Sequence, residues 1–172
     1  MEEFGEAKIS RVRDNIFAIT VQDESMAEKI LERGPWSVMR NCFSVKRWPG
    51  QLAIKETDTE MVPFWVQARG IPLNLYMKEN AEKIGGKIGK LLEYENPNMT
   101  RGFVRIRVQI NTTKPLPPGF WLTRRDGSES WVEVQYERLS DFCYNCGWIG
   151  HCNTECSYER QESGAAGYGV WT

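Results

Sequence analysis

Four of the five cysteines and the only histidine of the 172-residue chain lie close together near its carboxyl end. The segment reads CYNCGWIGHCNTEC, in which Cys143, Cys146, His151 and Cys156 have the spacing C-x2-C-x4-H-x4-C. Thiolates and imidazole are ligands that Zn²⁺ prefers, and structural zinc sites are tetrahedral. A segment this short cannot bury a hydrophobic core, so metal binding would supply its folding free energy. The spacing therefore predicts one Zn²⁺ ion held by these four side chains.

Two disulfides, or a redox-active C-x-x-C at Cys143 and Cys146, are the alternatives to zinc. The sequence begins with the acidic MEEFGEAK, which is no secretory signal, and contains no apolar run near the ~18 residues of a membrane span. We therefore expect an intracellular protein, nuclear or cytoplasmic, whose thiols stay reduced and which does not bind membranes. No thioredoxin-like pattern precedes the C-x-x-C. Cys152, next to the histidine, is left as a spare thiol, a competing ligand or an oxidation site.

The segment 141–157 resembles the CCHC zinc knuckle, a nucleic-acid-binding module of retroviral nucleocapsids and retroelement proteins. In that family, aromatic residues after the first and second cysteines stack unpaired bases. Tyr144 and Trp148 occupy the matching positions. The resemblance thus implies stacking on single-stranded nucleic acid, with RNA favoured over DNA. The alternative is a protein–protein interaction adaptor, or a self-associating protein, whose zinc site is purely structural.

The residues before the cysteines predict an α+β body. Apolar and polar residues alternate in 102–111, as in a strand, whereas the residues after Ser25, a candidate N-cap, have a helical stripe. Strand–helix–strand units on both sides of a polar linker at 51–60 predict a small mixed sheet, either ferredoxin-like or built from paired ββαβ halves. We expect an N-terminal αβ part at 1–50, a second αβ part at 61–140, the knuckle at 141–157 and a disordered tail at 158–172.

Longer strings extend over much of the chain: GPWSV (34–38), KRW (46–48), VPFWVQARGIPL (62–73), RGFVRIRVQINTTKPLPPG (101–119) and WVEVQYERLSDFCYNCGWIGH (131–151). Together they resemble a plant family of uncharacterised domains found in proteins related to LINE-type (non-LTR) retrotransposons, where the domain precedes a CCHC knuckle. The resemblance implies a plant source, a retroelement origin and nucleic-acid binding. Relatives carry an additional N-terminal strand and helix, so it also implies a truncated first part.

The overall charge does not indicate a nucleic-acid-binding protein, because 22 Lys and Arg balance 23 Asp and Glu to a formal −1. A local basic face remains open. The candidates for contacts with the nucleic-acid backbone lie at a strand end, along one strand and at a hairpin tip: Lys46, Arg47, Arg105, Arg107, Arg124 and Arg125. Ordinary solvated surface arginines are the alternative. Four tryptophans are expected in the core, together with the Cys42 thiol: Trp36, Trp65, Trp121 and Trp131.

Nothing in the sequence indicates catalysis. The only histidine is assigned to the metal, and a zinc ion with four protein ligands has no open position for a substrate. The sequence contains no phosphate-binding loop, no G-x-S-x-G and no H-E-x-x-H. We therefore expect a zinc-dependent protein that binds single-stranded nucleic acid and is not an enzyme.

Overall fold

Local turn and cap residues set the elements of the first part of the chain. The computed structural model describes residues 6–96 and 101–159. The first elements are β1 (Lys8–Arg13), β2 (Ile16–Thr20), α1 (Glu24–Glu32), β3 (Trp36–Val38) and β4 (Asn41–Phe43). Asn15, with a φ of 59°, turns β1 into β2. Asp23, and not Ser25, is the N-cap of α1, because its carboxylate accepts a hydrogen bond from the Met26 amide at 2.8 Å.

The second part of the chain forms one antiparallel sheet. Its elements are β5 (Met61–Arg69), α2 (Lys78–Gly86), β6 (Lys90–Tyr94), β7 (Phe103–Asn111), β8 (Gly119–Thr123) and β9 (Glu129–Tyr136). The strand order is β6–β7–β5–β9–β8. The predicted α+β class is confirmed. Among the described residues every strand pair is antiparallel, and the hairpins β1–β2 and β3–β4 remain separate sheets, so the sheet is not of mixed direction.

The order β6–β7–β5–β9 matches the ferredoxin-like alternative. In that arrangement the first strand, here β5, is followed by a helix and two further strands, and the last strand returns to pair beside it. Here α2 follows β5, and β9 pairs with β5 antiparallel. The connection from β7 to β9 contains strand β8, where a ferredoxin-like fold has its second helix. Because β8 and β9 are joined by a short turn, they form a hairpin at the edge of the sheet.

One face of the sheet carries the hydrophobic core. In β5, residues alternate between buried and half-buried, and Phe64, Val66 and Ala68 are fully buried. Ala81 and Ile84 of α2 belong to the same cluster of buried side chains. Since burial of a large apolar side chain contributes roughly 1.5–3 kcal/mol, this face supplies much of the folding free energy of the body.

The opposite face of the sheet is polar and internally paired. The Arg105 guanidinium lies 3.9 Å from the centre of the Trp65 ring and donates two 2.8 Å hydrogen bonds to the Glu137 carboxylate. Arg107, 9 % exposed, pairs with Glu93 at 2.9 Å and donates to the Leu31 carbonyl at 2.8 Å. This second contact fastens the end of α1 to the sheet.

The four tryptophans expected in the core are not buried there. Trp36 and Trp65 are half-buried, whereas Trp121 is 58 % and Trp131 36 % exposed. Successive residues of a strand point to opposite faces of the sheet. Phe120 and Val132 point to the buried face, so their neighbours Trp121 and Trp131 point to the other. The expectation of a buried Cys42 thiol is met in part: the side chain is half-buried, and this burial raises the pKa of its thiol.

Two remaining expectations concern membranes and the tail. Both α-helices in the described ranges are nine residues long, and no helix there is long and apolar enough to cross a membrane. The predicted disordered tail at 158–172 lies, apart from residues 158 and 159, outside the described residues.

Candidate metal centre

The structure brings all four predicted zinc ligands together. The Sγ atoms of Cys143, Cys146 and Cys156 and a ring nitrogen of His151 all lie within 4.8 Å of one another. The Cys146 Sγ and the His151 Nε2 are 3.3 Å apart. A tetrahedral zinc ion with Zn–S bonds near ~2.3 Å separates its sulfur ligands by about 3.8 Å. The cluster is therefore compatible with one zinc ion.

A tight backbone turn presents the first two sulfurs. The Cys143 amide donates to the Trp148 carbonyl at 2.9 Å, and the Gly147 amide donates to the Cys143 carbonyl at 2.7 Å. Gly147 and Gly150 have φ angles of 80° and 107°, which favour glycine. The turn thus folds Cys143 and Cys146 back toward one point, as the C-x2-C spacing predicts.

The second half of the segment is held by two asparagines. The Asn153 side chain accepts a hydrogen bond from the Tyr144 backbone amide at 2.7 Å. Asn153 is also the first residue of the short 3-10 helix Asn153–Glu155, which leads to Cys156. The side-chain amide of Asn145 donates hydrogen bonds to the Cys156 Sγ at 3.3 Å and to the Glu159 carbonyl at 3.1 Å. Sequence reasoning missed both asparagines, because ligand spacing carries no information about side-chain hydrogen bonds.

The thiols differ in acidity according to their surroundings. The hydrogen bond from Asn145 lowers the pKa of Cys156 to about 6, since it favours the thiolate. Burial raises the pKa of Cys146 to about 11. A bound zinc ion deprotonates coordinating thiols outright, so three thiolates and a neutral imidazole would give the complex a charge of +2 − 3 = −1.

Cys152 lies outside this cluster. Its side chain is exposed, and its Sγ lies 2.9 Å from the Thr154 hydroxyl and 3.4 Å from a carboxylate oxygen of Glu155. The four clustered donors complete a tetrahedral set without it. The geometry therefore gives no support to Cys152 as a competing ligand.

The two predicted stacking residues differ in exposure. The Tyr144 ring is 45 % exposed and meets the buried Phe142 ring edge to face, with 5.0 Å between the centroids. Trp148 is half-buried. The knuckle thus presents one open ring, supported from beneath by Phe142, and a second that is partly covered.

The six predicted backbone-contacting cations do not share one environment. Lys46 donates to the Asp58 carbonyl at 2.7 Å, and Arg47 pairs with Glu24. Arg105 and Arg107 lie together on the polar face of the sheet but are engaged there with glutamates. Arg124 and Arg125 are exposed at the turn between β8 and β9.

The metal cluster is attached to the body through shared core residues. Phe142 lies in the core cluster and forms an isolated β-bridge with Ile149, which packs against that cluster. The amide of the buried Leu116 donates to the Gly147 carbonyl at 2.8 Å. The knuckle therefore lies directly against the segment that leads into β8.

Comparison with known sequences supports a zinc knuckle at this site. Residues 110–158 match the zinc knuckle family. A CCHC-type zinc knuckle is present. An uncharacterised protein of Arabidopsis thaliana is 28 % identical over 136 residues, which amount to 77 % of this chain and 43 % of that protein. The chain thus matches less than half the length of this plant relative. No solved structure matches the chain.

Proposed function

We propose that this chain binds single-stranded nucleic acid, RNA in preference to DNA, through its zinc knuckle. The observation that carries the proposal is the Tyr144 ring, which is 45 % exposed and supported by Phe142 beside the four metal-ligating side chains. An exposed ring on a rigid support stacks a base without first having to be ordered. The match to the zinc knuckle family supports the same function.

In this proposal the zinc ion has a structural role. It holds the two turns of the knuckle together, and Tyr144 and Trp148 then supply the contacts with the bases. Unpaired bases are required, because bases within a duplex are stacked on each other and present no face to a ring. The activity is binding without catalysis.

The test compares variants in their affinity for a fluorescein-labelled single-stranded RNA by anisotropy. Stacking of one base is worth roughly 1–3 kcal/mol, so Tyr144→Ala and Trp148→Ala should each weaken binding by about 5- to 150-fold. Zinc content should stay at one ion per chain. Phe17→Ala, at a 56 % exposed aromatic residue on β2, is the matched control and should bind as the parent does. Parental affinity in both knuckle variants would reject the stacking role.

The RNA preference is tested with the same protein on a DNA oligonucleotide of identical sequence and on the duplex form of the RNA. We expect the highest affinity for single-stranded RNA, a lower affinity for single-stranded DNA and the lowest for the duplex. Equal affinity for RNA and DNA would contradict the preference while leaving nucleic-acid binding intact.

A second candidate function is that of a protein–protein adaptor whose zinc site supports the body. The contacts of Phe142 and Leu116 with both the core and the knuckle favour it. Salt dependence separates the two functions, because binding to Z phosphates of a single strand falls with a log–log slope near −0.7Z. Failure to bind RNA even at low salt would favour the adaptor.

The origin of the chain belongs to the same proposal. We place it among proteins of LINE-type retroelements or their domesticated relatives in plants, an assignment supported by the knuckle that follows an α+β body and by the plant relative. The genomic sequence around the coding region tests this origin. Remnants of a reverse-transcriptase reading frame nearby are expected, and their complete absence would contradict it.

A further inference from the structure

We infer that Trp121 and Trp131 form a second base-stacking surface, which extends the nucleic-acid site from the knuckle along the β8–β9 hairpin. This inference rests on the proposed function, since it assigns a further contact to the same ligand. It concerns two residues that neither the spacing of the cysteines nor the resemblance to zinc knuckles indicates.

The two indoles form a fixed pair. Trp121 and Trp131 lie directly opposite each other in the register of β8 and β9, with ring centroids 5.3 Å apart at an interplanar angle of 66°. A Cβ atom on Gly119 would lie 2.5 Å from the Trp131 ring. The Trp131 indole therefore lies across Gly119, where only a glycine leaves room for it. Trp121 packs against it and leaves 58 % of its own side chain exposed.

The surroundings of the pair are polar and include two carboxylates, so the rings, and not the charge of this face, would hold a nucleic-acid strand. On the same face, the pair is flanked along the strands by the polar residues Thr123, Glu129 and Glu133. The exposed area is thus two aromatic rings in a polar setting and not a broad hydrophobic patch of the kind that protein partners cover. Isolated rings of this kind suit the flat faces of unpaired bases.

Cations and carboxylates lie side by side at the hairpin tip. Arg124 and Arg125 directly follow β8 and are exposed. The acidic side chains beside them accept hydrogen bonds from hydroxyl groups of the hairpin: Glu129 from Thr123 at 3.2 Å and Asp126 from Ser128 at 2.6 Å. The hydrogen bonds from Ser128, together with the attraction between Asp126 and Arg124, lower the pKa of the Asp126 carboxyl. Cations next to stacking rings are the combination that single-strand binding surfaces use.

A short, well-anchored connection sets the distance between the pair and the knuckle. The Leu116 amide donates to the Gly147 carbonyl, the Tyr136 hydroxyl to the Pro117 carbonyl at 2.7 Å and the Val134 amide to the Pro118 carbonyl at 3.0 Å. Trp121 is five positions after Leu116, which is at most about 17 Å in an extended chain. Residues 110–158, matched by the zinc knuckle family, include both the hairpin and the knuckle. Trp121 and Trp131 lie on the face of the hairpin opposite to Phe120 and the core, so a nucleic-acid strand that contacts both surfaces would pass around the β8 edge of the sheet.

RNAs of two lengths distinguish the contributions of the two surfaces to binding. Anisotropy is measured on the full chain with labelled single-stranded RNAs of about 4 and about 16 nucleotides, the range of site sizes of single-strand binding folds. Trp121→Ala should weaken binding of the longer RNA by about 5- to 150-fold and leave the shorter unchanged. Tyr144→Ala should weaken both. Trp121→Phe should restore binding, and Phe17→Ala is again the control.

The arginines at the hairpin tip give a second measurement that does not depend on the packing of the tryptophans. The double variant Arg124→Gln with Arg125→Gln should make the salt slope for the longer RNA shallower by about 0.7 for each phosphate that the variant no longer neutralises. One zinc ion per chain and an unchanged thermal unfolding curve would show that each variant is folded.

Each outcome has a distinct meaning. Parental affinity of Trp121→Ala for the longer RNA, with weaker binding by Tyr144→Ala, overturns the second surface and leaves the proposed function standing. Weakened binding by Trp121→Ala with parental Tyr144→Ala supports the hairpin and rejects stacking at the knuckle. If the parent protein binds neither RNA, both are rejected.

Discussion

The side chain of Asn145 contacts a metal-ligating cysteine and the chain that follows it, both more than ten positions later in the sequence. Its side-chain amide has two N–H groups, and they reach the Cys156 sulfur at 3.3 Å and the Glu159 carbonyl at 3.1 Å. The same side chain thus orients a ligand and fastens the chain that follows it. Residues that hydrogen-bond to metal ligands fix the orientation of those ligands and tune their basicity.

The replacement Asn145→Ala should lower zinc affinity. Partners that hydrogen-bond a ligand typically contribute 10- to 100-fold to metal affinity, and here the bond also favours the thiolate of Cys156. Competition with a chromophoric chelator measures the change. Cys152→Ser removes a thiol outside the cluster and should keep the parental affinity. Equal zinc affinity of the Asn145→Ala and Cys152→Ser variants in this competition would contradict the role of Asn145.

The sequence predicts the four metal-binding residues but not the side chains that hydrogen-bond around them. Cysteine and histidine spacing restricts which side chains can meet at one ion, so all four donors could be predicted from it. Asn145 and Asn153 act through hydrogen bonds that exist only once the loop has closed, and no periodicity indicates them. The exposure of Tyr144 and the partial burial of Trp148 likewise depend on the packing of the knuckle against the body.

At the scale of secondary structure, one ion pair joins separate strands of the sheet. Arg105 of β7 reaches Glu137, which follows β9, and Gln67 of β5 donates to the same carboxylate at 2.9 Å. Hydrogen bonds from Arg105 hold the pKa of Glu137 below its ordinary value of about 4.3. The three side chains fix the registration of the sheet on its polar face.

The replacement Glu137→Gln should make stability less dependent on pH in the acid range. Because the pKa of Glu137 is lowered on folding, its contribution is fully present above about pH 4.3 and is lost as pH falls through the lower value in the folded protein. We expect the variant to have a lower melting temperature at pH 7 and a smaller decrease between pH 7 and pH 3 than the parent.

Thermal unfolding followed by circular dichroism across this pH range is the measurement. Glu82→Gln, at an exposed position of α2, removes a carboxylate without this partner and serves as the control. Parallel pH curves for the parent and the Glu137 variant would show that the pair does not stabilise the fold.

Local sequence patterns predict strands and helices, but they do not predict which side chains pair across the sheet or which face is covered. Period-two alternation predicted the strand at 102–111, observed as β7, and a helical stripe predicted α1. The patterns could not show that Arg105 and Arg107 would find glutamate partners across the sheet, since Glu93 lies on β6 and Glu137 directly follows β9. Residue type predicts Trp121 and Trp131 in the core, but they are exposed, because residue type alone does not tell which face of a strand is covered.

At the scale of the whole molecule, we expect zinc binding to be coupled to the stability of the body. Cys143 is completely buried, and its neighbour Phe142 belongs to the core cluster together with Leu116. Removal of zinc should therefore release Phe142 and lower the melting temperature of the entire chain, while the sheet and its β-type circular dichroism persist.

Incubation of the purified chain with a chelator, followed by thermal unfolding, tests this coupling. Metal analysis before and after treatment confirms the release of one zinc ion per chain. Restoration of the melting temperature on addition of Zn²⁺ is expected. If loss of the ion leaves the melting temperature unchanged, the knuckle and the body are energetically independent.

The anchored segment before β8 limits how such chains can change over evolutionary time. Pairing of β8 with β9 places Phe120 toward the core and Trp121 toward solvent, and the contacts of Leu116, Pro117 and Pro118 fix where β8 begins. A single inserted or deleted codon in this segment would exchange the two faces of the strand. Lineages that keep this fold should therefore tolerate point substitutions here but not changes of length.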